Sequence, residues 1–388
     1  MFVSLSYITD KYLCCMGFRV YSSTIEACCL GAESIRRCFE GIQAGSVCGV
    51  VFCGTSSEVE YHQLLAALKR SVYELLGRVV PVTLIPQYLL PEGGLSVAIY
   101  ALDGQVEVQT ALQDGVCYGK IEDGEQSLLF IEAIAASDFA SSVKQQSEEV
   151  FGRLDAILTA HGFTVSDIVR QWNYIGSIVD SREGKQNYQE FNDARTIYYS
   201  RGQWQNGYPA ATGIGAEGEG IIVGCIAFKS SNDAVRAIYP IDNPLQVAAH
   251  VYSKRVLIDN ATDAMKSTPK FERAKVIQTP RGACCSVSGT AAIRGEKSAE
   301  FSTVREQTVM TIENIEHLVS AENLQRYGCE PHMLKYAQIQ VFIKNAEDYW
   351  QVKQIVDAAY PEITPLYTIA DVCRSELLVE IEGILISQ

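Results

Sequence analysis

The sequence of 388 residues has no long apolar runs. Its longest, residues 127–136 and 220–228, fall far short of the ~20 residues that a membrane-spanning helix needs. The opening residues, Met-Phe-Val-Ser-Leu-Ser-Tyr, place no basic segment before a long apolar one, so we expect no signal peptide. These absences predict a protein of the cytoplasm with no membrane partner.

Spaced metal ligands are also missing. No Cys-x-x-Cys pair occurs and the five histidines are scattered, which argues against a structural zinc site. The thirteen cysteines are odd in number, and six of them form the adjacent pairs Cys14–Cys15, Cys28–Cys29 and Cys284–Cys285. In a chain long enough to bury a core, this usage predicts reduced thiols rather than disulfides.

Positive charge is scarce, with 32 Lys and Arg against 46 Asp and Glu and a formal net charge of −14. Binding of nucleic acid requires clustered Lys and Arg to neutralise phosphates, so this balance argues against a DNA or RNA partner. A small anionic substrate stays open, because it responds to the local field of a pocket. At about 100–200 residues per domain, the length predicts two or three domains.

One pattern of strands and helices recurs three times along the chain. The last copy is the clearest, with a strand of small and apolar residues at 283–293. Apolar residues at three-residue steps then predict a helix at 306–319, and alternation predicts a strand at 337–343. A helix at 346–359 and a strand at 377–385 complete this copy.

The same order of elements occurs twice upstream. In the middle copy we predict strands at 128–134, 168–175 and 220–228, and helices at 145–158 and near 191–200. In the first copy we predict strands at 48–55, 80–85 and 97–101, and a helix at about 58–76. The strand at 48–55 echoes residues 285–290 and is therefore matched to the opening strand of the last copy.

Each copy predicts a four- to six-stranded mixed sheet with its helices on one face, which is an α+β arrangement. Three such sheets could pack around a common axis as a pseudo-trimer, with ligand clefts between neighbouring units. We place the units at residues 1–110, 111–250 and 265–388. The first is the most degenerate, and the third carries an acidic site.

Three motifs follow one another in the third unit: Ser288-Gly289 on a strand, Gln307 and Asn314 on a helix, and Glu380-Ile381-Glu382 on the closing strand. Their order resembles the Rid/YjgF superfamily, in which a Ser-Gly strand precedes a helix that opens with Gln and carries Asn. The resemblance implies that each unit has the Rid/YjgF-like, or chorismate mutase-like, fold.

Five sequence blocks narrow the resemblance to the chorismatases of that superfamily. The blocks are Gln171-Trp172-Asn173-Tyr174-Ile175, Tyr188-x-x-Phe191-Asn192-x-x-Arg195, Pro209-Ala210-Ala211-Thr212-Gly213-Ile214-Gly215, Ser288-Gly289-Thr290-Ala291-x-Ile293-x-Gly295-Glu296, and Cys373-Arg374-Ser375-Glu376-Leu377-Leu378-Val379-Glu380-Ile381-Glu382-Gly383. The resemblance implies cleavage of the enolpyruvyl ether of chorismate to pyruvate and a dihydroxycyclohexadiene carboxylate or a hydroxybenzoate. It implies no metal and no organic cofactor. Three internal units favour a monomer, and a dimer formed through the surface stays open.

Glu380 is the candidate catalytic acid. Alternation along the closing strand sets Glu380 and Glu382 on the face opposite Val379 and Ile381, which suit a core under helices. Hydrolysis of an enol ether begins with protonation of its terminal carbon, and a buried carboxyl stays protonated near neutral pH. The pattern alone also fits a solvated Glu, and the resemblance makes Glu380 the predicted proton donor. The matching position of the middle copy is Gly224 or Cys225, so we expect one active cleft.

Three arginines are candidates for binding the carboxylates of a dianionic substrate. Arg195 and Arg273 stand at family-like positions, and Arg374 precedes the closing strand. The guanidinium group binds carboxylates through two parallel hydrogen bonds. The alternative for each is an ordinary surface ion pair.

Four further residues of the matched blocks are candidate substrate contacts. Tyr174 and Tyr188 could hydrogen-bond a ring hydroxyl or a carboxylate, with amphipathic packing as the alternative. Cys373 is a predicted pocket residue with no adjacent base that would make it a nucleophile, and its alternative is a small buried hydrophobe. Thr290 belongs to the Ser-Gly-Thr-Ala block and is predicted to line the same pocket.

Two departures keep other functions open. The chorismatase block Asn-Pro-Arg-Gln is Asn243-Pro244-Leu245-Gln246 here, and residues 251–270 lack the family's Tyr-Gly-Pro run. The superfamily's enamine/imine deaminases bind a carboxylate through an Arg two residues after a Pro, where this chain has Tyr367. A deaminase and a non-catalytic protein that binds a small ligand are therefore the alternatives to a chorismatase-like hydrolase.

Overall fold

The structure is a computed structural model that describes residues 18–26, 31–55, 58–102, 107–182, 184–231, 237–253, 267–279, 282–299, 302–329 and 334–387. Its larger strands form three mixed sheets, one for each copy of the pattern, and each sheet carries helices on one face. The predicted α+β class is confirmed. No helix in the described ranges has the length and apolarity required to span a membrane.

The first sheet has the strand order β1-β4-β2-β3. Its elements are β1 (Phe18–Ile25), α1 (Ala32–Cys38), β2 (Val47–Gly54), α2 (Glu58–Leu76), β3 (Val82–Pro86) and β4 (Leu95–Leu102). Strands β2 and β3 run parallel, and β4 is antiparallel to both of its neighbours, β1 and β2.

The second sheet has the strand order β11-β8-β12-β7-β6-β5. Its unit contains β5 (Gln109–Gln113), β6 (Val116–Asp123), β7 (Gln126–Ala135), α3 (Val143–Ala160), β8 (Ile168–Gly176), β9 (Ser181–Arg182), β10 (Lys185–Gln186), α4 (Asn187–Tyr199), β11 (Ala210–Ala216) and β12 (Ile221–Ser230). Helix α3 begins with a capping box, in which the side chains of Ser142 and Gln145 each accept a hydrogen bond from the other's backbone N–H.

The third sheet has the strand order β13-β14-β15-β20-β18-β19. Its unit contains β13 (Ile238–Ile241), β14 (Ala274–Thr279), β15 (Gly282–Ala291), β16 (Ile293–Arg294), β17 (Lys297–Ser298), α5 (Val304–Val319), α6 (Ala321–Arg326), β18 (Leu334–Ile343), α7 (Tyr349–Ala359), β19 (Leu366–Ile369) and β20 (Val379–Ser387). Strand β13 lies inside the segment predicted as the second unit but pairs with β14. The predicted unit boundaries otherwise stay predictions.

The first unit requires a correction. Strand β2 is parallel to β3 and antiparallel to β4. In the third sheet β18 is likewise parallel to β19 and antiparallel to β20, so β2 corresponds to β18. The prediction that residues 48–55 match the opening strand β15 was therefore wrong, and β1 holds that place. Strand β1 was missed because its sequence, Phe-Arg-Val-Tyr-Ser-Ser-Thr-Ile, is polar and does not alternate cleanly.

The three sheets surround a shared core on the side away from their helices. Tyr100 of the first sheet, Phe130 and Phe228 of the second, and Ile384 of the third are buried together in it. Neighbouring sheets meet in a cycle, with β3 against β7, β11 against β15, and β1 against β18. The predicted pseudo-trimer is confirmed, and each junction of two sheets forms a potential cleft.

Candidate active site

A cavity lies at the junction of the second and third sheets. Its empty space, including the solvent at its mouth, is about 570 Å³. We call it the Glu380 cavity. Its lining residues are Tyr188, Arg195, Ala211, Gly213, Tyr252, Pro269, Phe271, Arg273, Gly289, Ala291, Ile293, Cys373, Arg374 and Glu380.

Glu380 reaches this cavity because β20 alternates as predicted. Val379 and Ile381 pack into the core beneath helices α5 and α7, whereas the side chain of Glu380 lines the cavity and is only 4% exposed. Burial raises the pKa of the Glu380 carboxyl to about 8, and the negative charge of Glu382 adds to the effect while Arg273 opposes it. The carboxyl is therefore mostly protonated at neutral pH.

Gly289 makes room for that carboxyl. Strand β15 has an irregular register against β20 between Val287 and Thr290, and Gly289 lies within this irregularity. A Cβ atom at position 289 would lie 2.0 Å from Oε1 of Glu380, much closer than two such atoms can approach. The Ser-Gly motif of the sequence thus forms the floor on which the acid rests.

Two buried arginines face the same cavity. Arg195, on α4, is 1% exposed and donates to Oδ1 of Asn192 at 2.5 Å, while its Nε has no hydrogen-bond partner. Arg273 is 3% exposed and donates to the carbonyl of Val247 at 2.9 Å and to the hydroxyl of Tyr252 at 2.7 Å, and its Nε also has no partner. Both side chains retain donors that a ligand could use.

Arg374 adds a third cation. It donates to the carbonyl of Glu296 at 3.2 Å and to the hydroxyl of Ser298 at 2.9 Å, and its guanidinium lies 5.6 Å from the ring centre of Tyr252. Within the described parts of the chain, none of the three arginines forms an ion pair with a carboxylate. Because an uncompensated buried charge is costly, the cavity favours an anionic ligand.

Neutral side chains complete the wall. Burial raises the pKa of the Tyr188 hydroxyl, and Tyr188 packs against Gly213, where a Cβ would lie 3.1 Å from its ring. Burial, and then the charge of Glu380, raises the pKa of the Cys373 thiol to about 12. The thiol is therefore protonated and does not act as a nucleophile at neutral pH.

Comparison with known proteins places these features in a family. Residues 101–227 match the family described as Chorismatase FkbO/Hyg5-like, N-terminal. The chain is 33% identical over 231 residues to a 3-hydroxybenzoate synthase of Streptomyces hygroscopicus, a match that covers 57% of this chain and 64% of the relative. It is 31% identical over 221 residues to a chorismatase of the same organism, with 56% and 60% covered.

The matches span about three fifths of the length of these relatives. A crystal structure of a chorismatase superposes with a TM-score of 0.68 at 21% identity, covering 94% of this chain and 98% of that one, so the two share their fold. Residues 101–227 thus match the model of the N-terminal part of that family, and the whole chain has the chorismatase fold. The resemblance found in the sequence blocks is confirmed.

Six of the eight predicted site residues come together in this chorismatase fold, and two do not. The hydroxyl of Thr290 is buried and donates to the carbonyl of Ser288 at 2.9 Å. Tyr174 lines a second cavity, nearer the centre of the molecule, together with Trp172 and Glu382. We call it the central cavity. Neither lines the Glu380 cavity, and their roles in binding substrate stay predictions.

Tyr252 and Phe271 were missed by sequence reasoning. The ring of Tyr252 lies between two cavity arginines, 5.8 Å from the guanidinium of Arg273 and 5.6 Å from that of Arg374, and Phe271 lies 5.3 Å from Arg273. Phe271 lies two residues before the candidate Arg273, so its place in the sequence was a usable signal. Tyr252 carried none, because its stretch was noted only for the motif that it lacks.

Two of the departures from the family pattern, Leu245 and Tyr367, lie away from this wall. Leu245 is half-buried, and its backbone pairs with Gly295 without lining the cavity. The hydroxyl of Tyr367 donates to Oδ1 of Asp357 at 2.7 Å inside the third core. Most of the stretch without the Tyr-Gly-Pro run, residues 254–266, lies outside the described residues.

The middle copy lacks a matching acid. Gly224 of β12 lines the central cavity, and Cys225 packs in the core of the second unit. Both are uncharged, in keeping with the prediction of a single acidic cleft.

Proposed function

We propose that this protein cleaves the enolpyruvyl ether of chorismate. Net hydrolysis yields pyruvate and a dihydroxycyclohexadiene carboxylate, whereas cleavage without net uptake of water yields pyruvate and a hydroxybenzoate. One observation carries the proposal: the buried, protonated carboxyl of Glu380 shares a cavity with three guanidinium groups that have no carboxylate partner among the described residues. The names of the two relatives, a 3-hydroxybenzoate synthase and a chorismatase, point to the same chemistry.

The charge of the cavity suits a dianion. Chorismate carries two carboxylates, and the cavity offers Arg195, Arg273 and Arg374 beside a carboxyl that is neutral at pH 7. Arginine is suited to each carboxylate because its planar fork donates two parallel hydrogen bonds. The net charge of −14 on the whole chain does not oppose this, since the local field decides binding in a cleft.

The proposed chemistry uses one acid and one water molecule. Glu380 gives its proton to the terminal methylene carbon of the enol ether, and the ether oxygen stabilises the cation that forms. Water adds its hydroxide to that cation and returns a proton to the Glu380 carboxylate. The hydroxyl proton of the resulting hemiketal moves to the ring oxygen as the bond between that oxygen and the former enol carbon breaks. This hydrolytic route releases pyruvate and the dihydroxycyclohexadiene carboxylate.

The deaminase alternative is not favoured. Its carboxylate-binding Arg is replaced by Tyr367, which is 5% exposed and engaged with Asp357 in the third core. The side chain is therefore directed away from the Glu380 cavity.

The working form is proposed to be a cytoplasmic monomer that binds a small anionic substrate and neither nucleic acid nor membrane. The nine cysteines in the described ranges are free thiols, which suits a reducing compartment. The cleft that would hold the substrate is built from two units of the same chain. Sedimentation at several concentrations tests the monomer, and a concentration-dependent dimer would contradict it.

The test of function is pyruvate release from purified protein and chorismate. Wild type should release pyruvate, and Glu380→Gln, which keeps the shape but cannot donate the proton, should be slower by at least about 100-fold. Glu132→Gln is the matched control. Like Glu380, Glu132 is a buried carboxyl on a strand. It pairs with Nζ of Lys69 at 2.7 Å and lies outside the Glu380 cavity.

Three outcomes separate the readings. No pyruvate from wild type would remove the proposed activity. Equal rates for wild type and Glu380→Gln would remove the role of Glu380. Release of ammonia from 2-aminoacrylate without cleavage of chorismate would instead support a deaminase.

A further inference from the structure

Glu382 is a second buried carboxyl on the same face of β20. It is 6% exposed and lies two residues from Glu380, so their Cα atoms are about 6.6 Å apart along the strand. Whereas Glu380 faces the Glu380 cavity, Glu382 faces the central cavity. The proposed reaction leaves Glu382 without a role.

The second unit supplies three donors to Glu382. Arg170 donates through Nη2 to Oε2 at 2.7 Å, and Trp172 donates through Nε1 to Oε1 at 3.1 Å. The hydroxyl of Thr212 also contacts Oε2. The Glu382 carboxyl thus accepts from a guanidinium, an indole N–H and a hydroxyl, and its bond from the guanidinium is a charge-assisted hydrogen bond.

The direction of the Thr212 hydroxyl proton is fixed by its other contacts. Oγ1 of Thr212 accepts from Nη2 of Arg170 at 2.9 Å and from the backbone N–H of Gly289 at 3.0 Å. Since both neighbours can only donate, the proton of the hydroxyl points at Oε2 of Glu382. Glu382 must therefore accept this bond.

The same threonine connects Glu382 to the floor beneath Glu380. The backbone of Gly289, which Thr212 holds, is the surface on which the Glu380 carboxyl rests. Cγ2 of Thr212 would lie 3.0 Å from a Cβ at position 289. The network thus fixes both a negative charge beside Glu380 and the backbone under it.

Other ionisable groups also face this pair. Those that act on Glu380 or line its cavity are Arg170, Tyr188, Arg195, Arg273, Cys373, Arg374 and Glu382, and those near Glu382 are Tyr100, Arg170 and Tyr174. Burial keeps the tyrosines and the cysteine neutral by raising the pKa of each. After burial, the charge of Glu382 has the largest effect on the pKa of Glu380 and raises it, whereas Arg273 and Arg170 each lower it by less.

We propose that Glu382 is a positioning residue whose carboxylate, anchored by Arg170, Trp172 and Thr212, keeps Glu380 protonated and seated on Gly289. The use of that proton in catalysis rests on the function proposed above. The charge effect on Glu380 does not, because it is a property of the protein without substrate.

The test measures protonation of Glu380 directly. Infrared absorption of the protonated carboxyl is followed from pH 5 to 10 without substrate, and the band is assigned by its loss in Glu380→Gln. In Glu382→Gln the midpoint of the Glu380 titration should shift to lower pH by about one unit, because a like charge is removed while Arg170 remains. The alkaline limb of the rate profile for pyruvate release should shift equally.

Two matched variants separate charge from structural damage. Glu382→Asp keeps the charge and should return the midpoint to within a few tenths of a unit of wild type. Glu132→Gln removes a buried, ion-paired carboxylate from another junction and should leave the midpoint unchanged. An unshifted midpoint in Glu382→Gln, or an equal shift in Glu132→Gln, would overturn the proposal.

A double variant covers the case in which Glu382→Gln does not fold. Arg170→Met with Glu382→Leu replaces the ion pair by apolar side chains, a change that proteins often tolerate. Its midpoint should also fall, by less, since the smaller opposing effect of Arg170 is lost as well. A midpoint that stays or rises would overturn the proposal. Failure of wild type to cleave chorismate leaves these titrations interpretable and counts only against the proposed function.

Discussion

Two clefts of the molecule have nearly the same volume and opposite chemistry. The Glu380 cavity, between the second and third sheets, holds about 570 Å³, and a cleft between the third and first sheets holds about 560 Å³. We call the latter the hydroxyl-lined cleft. Its polar residues are Ser22, Ser23, Thr24, Ser96, Gln338 and Thr364. Among the described residues, no charged side chain lines it.

The two clefts have corresponding places in the pseudo-trimer. Strand β11 meets β15 at one junction as β18 meets β1 at the other. The closing strand of the first unit presents Ser96 to its cleft, whereas the closing strand of the third unit presents Glu380. The repeated fold therefore supplies clefts at its junctions, and the chemistry depends on which junction received an acid and arginines.

The largest loss of activity should follow from a change at Gly289, on which the Glu380 carboxyl rests. Gly289→Ala places a methyl group 2.0 Å from Oε1 of Glu380, so the carboxyl must leave its position. We expect the turnover number for pyruvate release to fall by at least about 100-fold, comparable with loss of the acid itself. Steady-state kinetics with chorismate measure this effect.

A second glycine provides the control for added bulk. Gly152 lies within α3, where a Cβ would meet no atom within 4 Å. Gly152→Ala should therefore leave the turnover number unchanged and stabilise the helix slightly. A Gly289→Ala protein that keeps wild-type turnover would show that Glu380 does not act from its observed position.

The next largest effect should come from the unpaired cations. Arg195→Met removes one guanidinium while keeping an apolar side chain of similar length, and the substrate carboxylate loses charge-assisted hydrogen bonds. We expect kcat/KM to fall by roughly 10- to 100-fold. Arg201→Met is the control, since Arg201 follows the same helix but is exposed and pairs with Asp155 at 3.3 Å. Equal losses in both variants would contradict a specific role for Arg195.

The position of the acid was easier to predict from the sequence than the surroundings of the arginines. Alternation along β20 placed Glu380 on the face opposite Val379 and Ile381, because a strand's period of two is a local property. The resemblance to chorismatases was needed to make it the candidate acid rather than a solvated Glu. That Arg195 and Arg273 have no carboxylate partner in the described ranges was not predictable, since their surroundings come from separate segments that only the fold brings together. The polar strand β1 was missed for a related reason, because its pairing with β4 overrides a weak local pattern.

The acid cavity should also show a pH dependence that a neutral cleft would not. The pKa of Glu380 is raised to about 8, and the proposed mechanism requires the protonated form. Activity should therefore be complete well below pH 8 and fall about tenfold per pH unit well above it. The profile of kcat/KM for chorismate between pH 5 and 10 measures this limb in the free enzyme. An activity that rises from pH 7 to 9 would show that the carboxylate form is required instead.

The smallest effect is expected in the hydroxyl-lined cleft. Ser96→Ala removes a hydroxyl from the strand that corresponds to β20, and Thr364→Val removes another from the opposite wall of the same cleft. Neither change touches the Glu380 cavity, so kcat/KM for chorismate should stay within about twofold of wild type. A loss of tenfold or more in Ser96→Ala, with the folded structure retained by circular dichroism, would mean that the two clefts are coupled. The activity could then not be assigned to the Glu380 cavity alone, and both clefts would have to contribute to it.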